Sequence, residues 1–362
     1  MNSKRIRLMV IVLLLFIASR TAQAILIGAG GFDWLVQNGK IIVKAQVTGI
    51  GDKPPFEMIA FEAKVMEVLK SDGELIGNKL FIEAAFPLWP KDLGITFAEK
   101  QVVLLVLKRV NGKLGVVNNR GAILPAINSK IHHGNCSSIT RKVFDELRAF
   151  LPQARNKFAK GLVLVHLSQL ASNKDEKIFL PYMKSKNIWV RRAALASLLR
   201  INPTPERIQA AVEDFSNHLS EPSDDRLFWE MYTDVQWAAR CGSWGMEKNM
   251  TSRAKAYLPI YRVLIDEVPS DYQRVHVAVS GLKNVGTRKD IKRLYSYLDH
   301  KKAWIRHDVF EGLGRILGMK IKRPLILGYQ TPENLSPKVK AWENKTRSSI
   351  EKALANEGLL GK

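Results

Sequence analysis

The side chains that could do chemistry are few in this chain and fall into no catalytic pattern. His132-His133-Gly134-Asn135-Cys136 offers two imidazoles and a thiol within five residues, ligand types that zinc takes. Adjacent histidines seldom reach one ion together, and a fourth ligand would have to come from elsewhere, so no metal is expected there. Cys241-Gly242-Ser243-Trp244 places a thiol beside a hydroxyl. No downstream His and Asn pair is placed to activate the thiol, and Cys241 stands where a G-x-S-x-G elbow needs its first glycine. Gly28-Ala29-Gly30-Gly31 would need a strand before it to act as a dinucleotide loop, and none is expected. His166, His218, His276, His300 and His307 show no H-E-x-x-H spacing. The expectation is a protein that is not an enzyme and carries no cofactor.

Two features remain for recognition and for bracing. Cys136 and Cys241 are the only cysteines; in an oxidising compartment they are expected to bridge, a constraint worth about 4 kcal/mol for a loop of about 100 residues. The stretch from Glu221 to Trp244 collects Glu221, Asp224, Asp225, Glu230 and Asp234 with Phe228, Trp229, Tyr232, Trp237 and Trp244, in a chain that is otherwise basic. Trp229, Tyr232, Trp237 and Trp244 are candidate partner-binding anchors, because aromatics gathered in an insertion suit a recognition surface. The competing reading makes them fillers between irregular helices, since Trp229, Tyr232 and Val235 to Gln236 follow helical spacing.

The elements that must position these residues are framed by composition. A chain of 362 residues with 46% hydrophobic and 25% charged residues has globular proportions, which exclude a disordered, collagenous or polytopic membrane chain, and its length predicts two domains. The first 24 residues carry a basic head (Lys4, Arg5, Arg7), an apolar run from Leu8 to Ala18 and the tail Ala22-Gln23-Ala24. That is the layout of a secretory signal peptide, with an apolar run too short to span a bilayer. The mature product is expected to be exported, periplasmic or extracellular, and not an integral membrane protein. The formal charge of +22 then points to envelope polyanions, acidic glycan or lipid, rather than to nucleic acid.

Residues 40 to 120 read as strands. Val43, Ala45 and Val47 alternate with Lys44, Gln46 and Thr48, and Phe61, Ala63 and Val65 alternate with Glu62 and Lys64; this is the period of a half-buried strand. Leu80 and Ile82 repeat it briefly, Val102 to Leu107 is an unbroken apolar run fit for a central strand, and Asn111-Gly112 suits a tight hairpin before Lys113. Five short strands suggest a small barrel or sandwich. The segments Val43 to Val47, Phe61 to Lys70 with its ending Val65-Met66-Glu67-Val68-Leu69-Lys70, and Val102 to Leu107 resemble the netrin/TIMP-type OB barrel of bacterial exported proteins, with Ser71 in place of a glycine. In inhibitors of that fold an N-terminal cysteine meets the metal; the mature start here would be Ile25, so inhibition does not carry over.

From Ser138 the pattern turns helical. Thr204-Pro205-Glu206 and Ser336-Pro337 set a capping side chain before a proline, and Thr287 precedes Asp290 as a capping pair. Trp189-Val190-Arg191, Leu198, Arg200 and Ile201 recur as Trp304-Ile305-Arg306, Leu313, Arg315 and Ile316 at a constant offset of 115 residues. Leu167, Leu198, Leu282 and Leu313 mark units of about 30 residues, the length of a two-helix solenoid repeat. These segments resemble HEAT repeats of the short, PBS-lyase-like kind. The resemblance implies that Arg191 and Arg306 bond to neighbouring turns and brace the stack, with Trp189, Leu198, Trp304 and Leu313 as repeat positions. The Asp common before the second helix of such repeats is missing here.

The expected organisation is therefore a signal peptide (1–24), an OB/netrin-like β-barrel (25–130), a linker (131–137), a HEAT-like helical domain (138–320, with an insertion at 220–250) and an extension with a capping helix (321–362). The expected function is that of a non-catalytic scaffold holding a protein or peptide partner. A basic module for acidic glycan or lipid is the alternative, and an enzyme or enzyme inhibitor with a dispersed site is the third reading.

Overall fold

The computed structural model describes residues 32–50, 58–73, 76–85, 100–110, 113–116, 123–131, 138–154, 156–219, 232–241, 248–267, 272–322 and 335–359. The expected signal peptide, the Gly28 to Gly31 stretch, the His132 to Cys136 cluster and the Asn111-Gly112 turn lie outside them. Backbone contacts divide the chain into two compact units, Met1–Ile201 and Asn202–Lys362.

The first unit opens with a short helix, α1 (Phe32–Asn38), and an antiparallel sheet: β1 (Ile41–Ile50), β2 (Met58–Lys70), β3 (Lys79–Ala85), β4 (Val102–Val110), β5 (Lys113–Val116) and β6 (Ile123–Pro125). The spatial order is β3-β2-β1-β4-β5, with β6 also paired to β4. The apolar run Val102 to Leu107 thus lies in a strand with neighbours on both sides, as its composition predicts. Ile41, Val43, Ala45, Val47, Phe61, Ala63, Leu80, Ile82, Val103, Leu105 and Leu107 join in one core on the inner face.

The alternation in β1 predicts that Lys44 faces solvent, and the structure differs. Lys44 is 1% exposed, and Ile42, Leu104 and Val106 on the same face are buried too. The physical reason is a second layer: helix α2 (Ile139–Phe150) supplies Glu146, whose Oε2 lies 2.8 Å from Lys44 Nζ. Ser129 O accepts a further bond from Nζ at 2.7 Å. Gly39, at the end of α1, lets that layer close down on β4, because a Cβ there would stand 2.6 Å from Val106 Cγ1. A lysine can be buried in this place because its charge is paired and its hydrogen bonds are made.

The unit continues with α3 (Lys157–Leu170) and α4 (Ile188–Ile201), joined by 3₁₀ turns at Asn173–Ile178 and Leu180–Lys184. The second unit is helical where described: α5 (Pro205–Leu219), α6 (Thr233–Cys241), α7 (Lys248–Ala256), α8 (Leu258–Glu267), α9 (Tyr272–Val285), α10 (Ile291–Tyr295), α11 (Ala303–Ile316) and α12 (Pro337–Asn356). Helices α5 and α12 start at the prolines the sequence marks, and Ser336 Oγ accepts from Val339 N. Among the described residues no helix is long and apolar enough to cross a membrane.

Candidate functional site

The 115-residue offset seen in the sequence is reproduced in the helix bounds. Adding it to α3 and α4 gives the bounds of α9 and α11 at both ends. The connections match as well. Ser172 and Asp175 form a capping box, and so do Thr287 and Asp290; in each, the backbone N–H and the hydroxyl of the first residue donate to the carboxylate of the second. Each carboxylate also holds an arginine from an earlier helix, Arg141 for Asp175 and Arg262 for Asp290. Burial alone would raise both carboxyls; the bonds from Ser172 and Arg141, and from Arg262 and Thr287, outweigh it and hold both below the ordinary aspartate range.

The two arginines singled out by the repeat make the same bond. Arg191 Nη1 donates to Ser185 O at 2.7 Å, and Arg306 Nη1 donates to His300 O at 2.7 Å. Ser185 N and His300 N in turn donate to Tyr182 O and Tyr297 O, each at 3.1 Å. Leu198 and Leu313 are buried. Trp189 lies 6.1 Å from the Phe158 ring, and Trp304 packs edge-on against His276 at 4.2 Å. The missing Asp has a substitute in the first copy, where Asn187 Oδ1 accepts from Trp189 N and Val190 N. In the second copy Lys302 N donates to His300 Nδ1 instead.

The second copy is covered by α12. Arg306 Nη2 donates to both carboxylate oxygens of Glu343 at 2.9 Å each, and His307 Nε2 lies 2.6 Å from Glu343 Oε1. Burial tends to raise the Glu343 carboxyl, but the bonds from His307 and Arg306 prevail and hold it below the usual glutamate range. Trp342 meets the His307 ring edge-on at 4.9 Å. Further along α12, Arg347 pairs with Asp299, and Glu351 Oε1 accepts from Tyr295 O–H at 3.4 Å.

Of the candidate aromatic anchors, Trp229 and Trp244 lie outside the described residues, as does Cys136; Trp237 and Cys241 are on α6, with side chains outside the description. Tyr232 is 1% exposed, donates to Asp214 Oδ2 at 2.9 Å and packs on Phe215 at 4.6 Å. Asp234, one of the acids of that stretch, is buried beside it and takes both Arg253 Nη1 and the Tyr257 hydroxyl, the latter at 2.5 Å. Burial, and then the Asp234 charge, push the Tyr257 and Tyr261 hydroxyls well above the ordinary tyrosine range. The described part of the acidic and aromatic stretch is therefore turned inward and cross-bonded.

Sequence reasoning missed Ser172 and Asp175, although they stand 115 residues before the capping pair it named. It also missed Glu146 and Glu343, whose partners are distant in sequence and leave no periodic trace. Among the described residues no group of three or more His, Cys, Asp or Glu side chains could hold a metal ion. No protein family, curated protein or solved structure was found to match the chain.

Proposed function

We propose that the chain is an exported, non-catalytic scaffold that has HEAT-like helix pairs, which hold a protein or peptide partner, and a small OB-like barrel. One observation carries the reading: two helix pairs with the same bounds, capping boxes and arginine braces at one offset. A unit repeated with its internal wiring intact is the building plan of a solenoid, and solenoids work as extended binding surfaces. The capping boxes and the Nη1 atoms of Arg191 and Arg306 are committed to holding turns together, which suits bracing rather than proton transfer. For the sheet, the single inner core and the approach of edge strands β3 and β5 to each other support the barrel reading. The secretory layout of the first 24 residues supports export, with cleavage after Ala24.

The formal charge of +22, which becomes +18 when residues 1–24 leave with Lys4, Arg5, Arg7 and Arg20, favours the second reading, a module for acidic glycan or lipid. Salt separates the two, because screening weakens dispersed charge attraction far more than a packed contact. The experiment is capture of the mature, tagged protein from crosslinked native envelope extract, with washes at low and high salt. Recovery of one protein at both salts, weakened by Trp229→Ala or Trp237→Ala, supports the scaffold with the aromatic stretch as anchor. Recovery of glycan or lipid alone, lost at high salt, replaces it with the polyanion module.

A further inference from the structure

The two helix pairs differ in what covers them. In the second, the surface made by residues 288–307 lies under α12, held by Glu343 on Arg306, Arg347 on Asp299 and Glu351 on Tyr295. These three residues of α12 are four apart, so they form one stripe of the helix. At the same offset the first pair presents Arg191 for Arg306, Lys184 for Asp299 and Leu180 for Tyr295. Leu180 is 48% exposed, and Lys184 is exposed. Arg191 spends Nη1 on Ser185 O and Lys186 O. Its Nη2, the nitrogen with which Arg306 grips Glu343, has no partner among the described residues.

We propose that this face of the first helix pair, centred on Leu180, Lys184 and Arg191, receives an acidic amphipathic helix of a protein partner, in the manner in which residues 288–307 receive α12. The proposal rests on the scaffold reading and names the partner's chemistry. A carboxylate seats on the open side of the Arg191 fork, where planar two-point bonding is strongest. One turn on, where α12 has an arginine for Asp299, the partner carries a second acid for Lys184. Two turns on, where α12 has Glu351 for the Tyr295 hydroxyl, it carries an apolar side chain for Leu180. Lys174, Lys177 and Lys186 are exposed around this face and draw an acidic rather than a basic helix toward it. This is recognition of a helix by anchors at i, i+4 and i+8.

The test uses the mature full-length chain and a labelled synthetic peptide spanning residues 336–357 with Arg347→Glu and Glu351→Leu on the stripe and Lys340→Glu and Lys345→Glu at exposed positions that make the peptide acidic, followed by fluorescence anisotropy. Saturable binding is expected, weakened at least tenfold by Arg191→Ala, by Lys184→Glu, or by Glu343→Gln in the peptide. Lys184 is exposed, so its variant keeps the experiment readable if Arg191→Ala fails to fold. No saturable binding, or equal binding to wild type and Lys184→Glu, overturns the proposal.

In cells, a photoreactive phenylalanine analogue is placed at position 180 and, separately, at the exposed position 209. A partner segment crosslinked at 180 that reads acid, acid, apolar at four-residue spacing supports the face. Crosslinking at 209 alone overturns it and leaves the scaffold reading standing, whereas no partner at either position overturns both. A crosslink from 180 to residues 220–231 of the same chain overturns the proposal by giving the face an internal occupant.

Discussion

In the first helix pair a histidine, His166, stands where the second pair has Gly281. The imidazole fills its own place, buried against the Phe32 ring at 4.7 Å. In the second pair the filling comes from outside: the Tyr261 ring sits where a Cβ on Gly281 would fall, 2.4 Å from its nearest carbon, and the Tyr261 hydroxyl donates to Val235 O. The capping boxes and arginine braces meanwhile keep the same atoms in both pairs. Backbone groups at helix ends need particular partners, so the wiring has few solutions. Volume inside a core can be supplied from any side provided the sum is kept, so the fillings diverge.

The comparison breaks first at the arginines. Arg306→Ala removes the brace to His300 O and also strips Glu343 of its two-point partner in a largely buried place, a loss of about 3 to 5 kcal/mol. Arg191→Ala removes a brace to two carbonyls and nothing else described, a loss of about 1 kcal/mol. Urea unfolding of both variants checks the difference. Equal losses would mean that the grip of Arg306 on Glu343 adds nothing and that α12 is held by its other contacts, Arg347 on Asp299 and Tyr295 on Glu351 among them.

The His166 and Gly281 exchange has a pH signature. Burial alone lowers the His166 pKa from 6.5 to about 4, and neither ring nitrogen has a hydrogen-bond partner among the described residues. The unfolded chain takes up this proton near pH 6.5 and the folded chain only near pH 4, so falling pH favours unfolding within that window. The loss is about 1.4 kcal/mol per pH unit, approaching about 3 kcal/mol at pH 4, with nothing further below it. His166→Leu should flatten that part of the stability profile of the first unit. An unchanged slope in the variant would assign the acid sensitivity to other groups.

These differences also mark how far the sequence could be read. Strand periods, the apolar run of β4, the starts of α5 and α12 and the 115-residue offset were all legible, because each is a local pattern or a direct recurrence. Lys44 was not: alternation states that its face differs from that of Val43, but a strand covered on both sides looks half-exposed until Glu146 arrives from a helix about 100 residues away. The Glu343 grip escaped for the same reason. Tyr232 could be read as anchor or as filler, and where described it and the neighbouring acid Asp234 point inward, to Asp214, Arg253 and Tyr257. The chemistry of a helix face depends on which neighbour packs against it, and that information is nonlocal.

The finest test asks whether the shared wiring is worth the same in both copies. Ser172→Ala and Thr287→Ala each delete a hydroxyl that donates to the box carboxylate, at 2.9 and 3.1 Å, and leave the backbone donors of Ser172 and Thr287 in place. Loss of such a cap costs about 1 kcal/mol. Because Asp175 and Asp290 keep their arginines and both boxes cap the start of a 3₁₀ turn, the two losses should agree within about 0.5 kcal/mol and add in the double variant, the sites sharing no partner. Hydrogen exchange at the first amides after each cap would report the same fraying in both. Unequal losses would mean that the boxes share a geometry without sharing a load, with the box of lesser effect held by its arginine rather than by its hydroxyl.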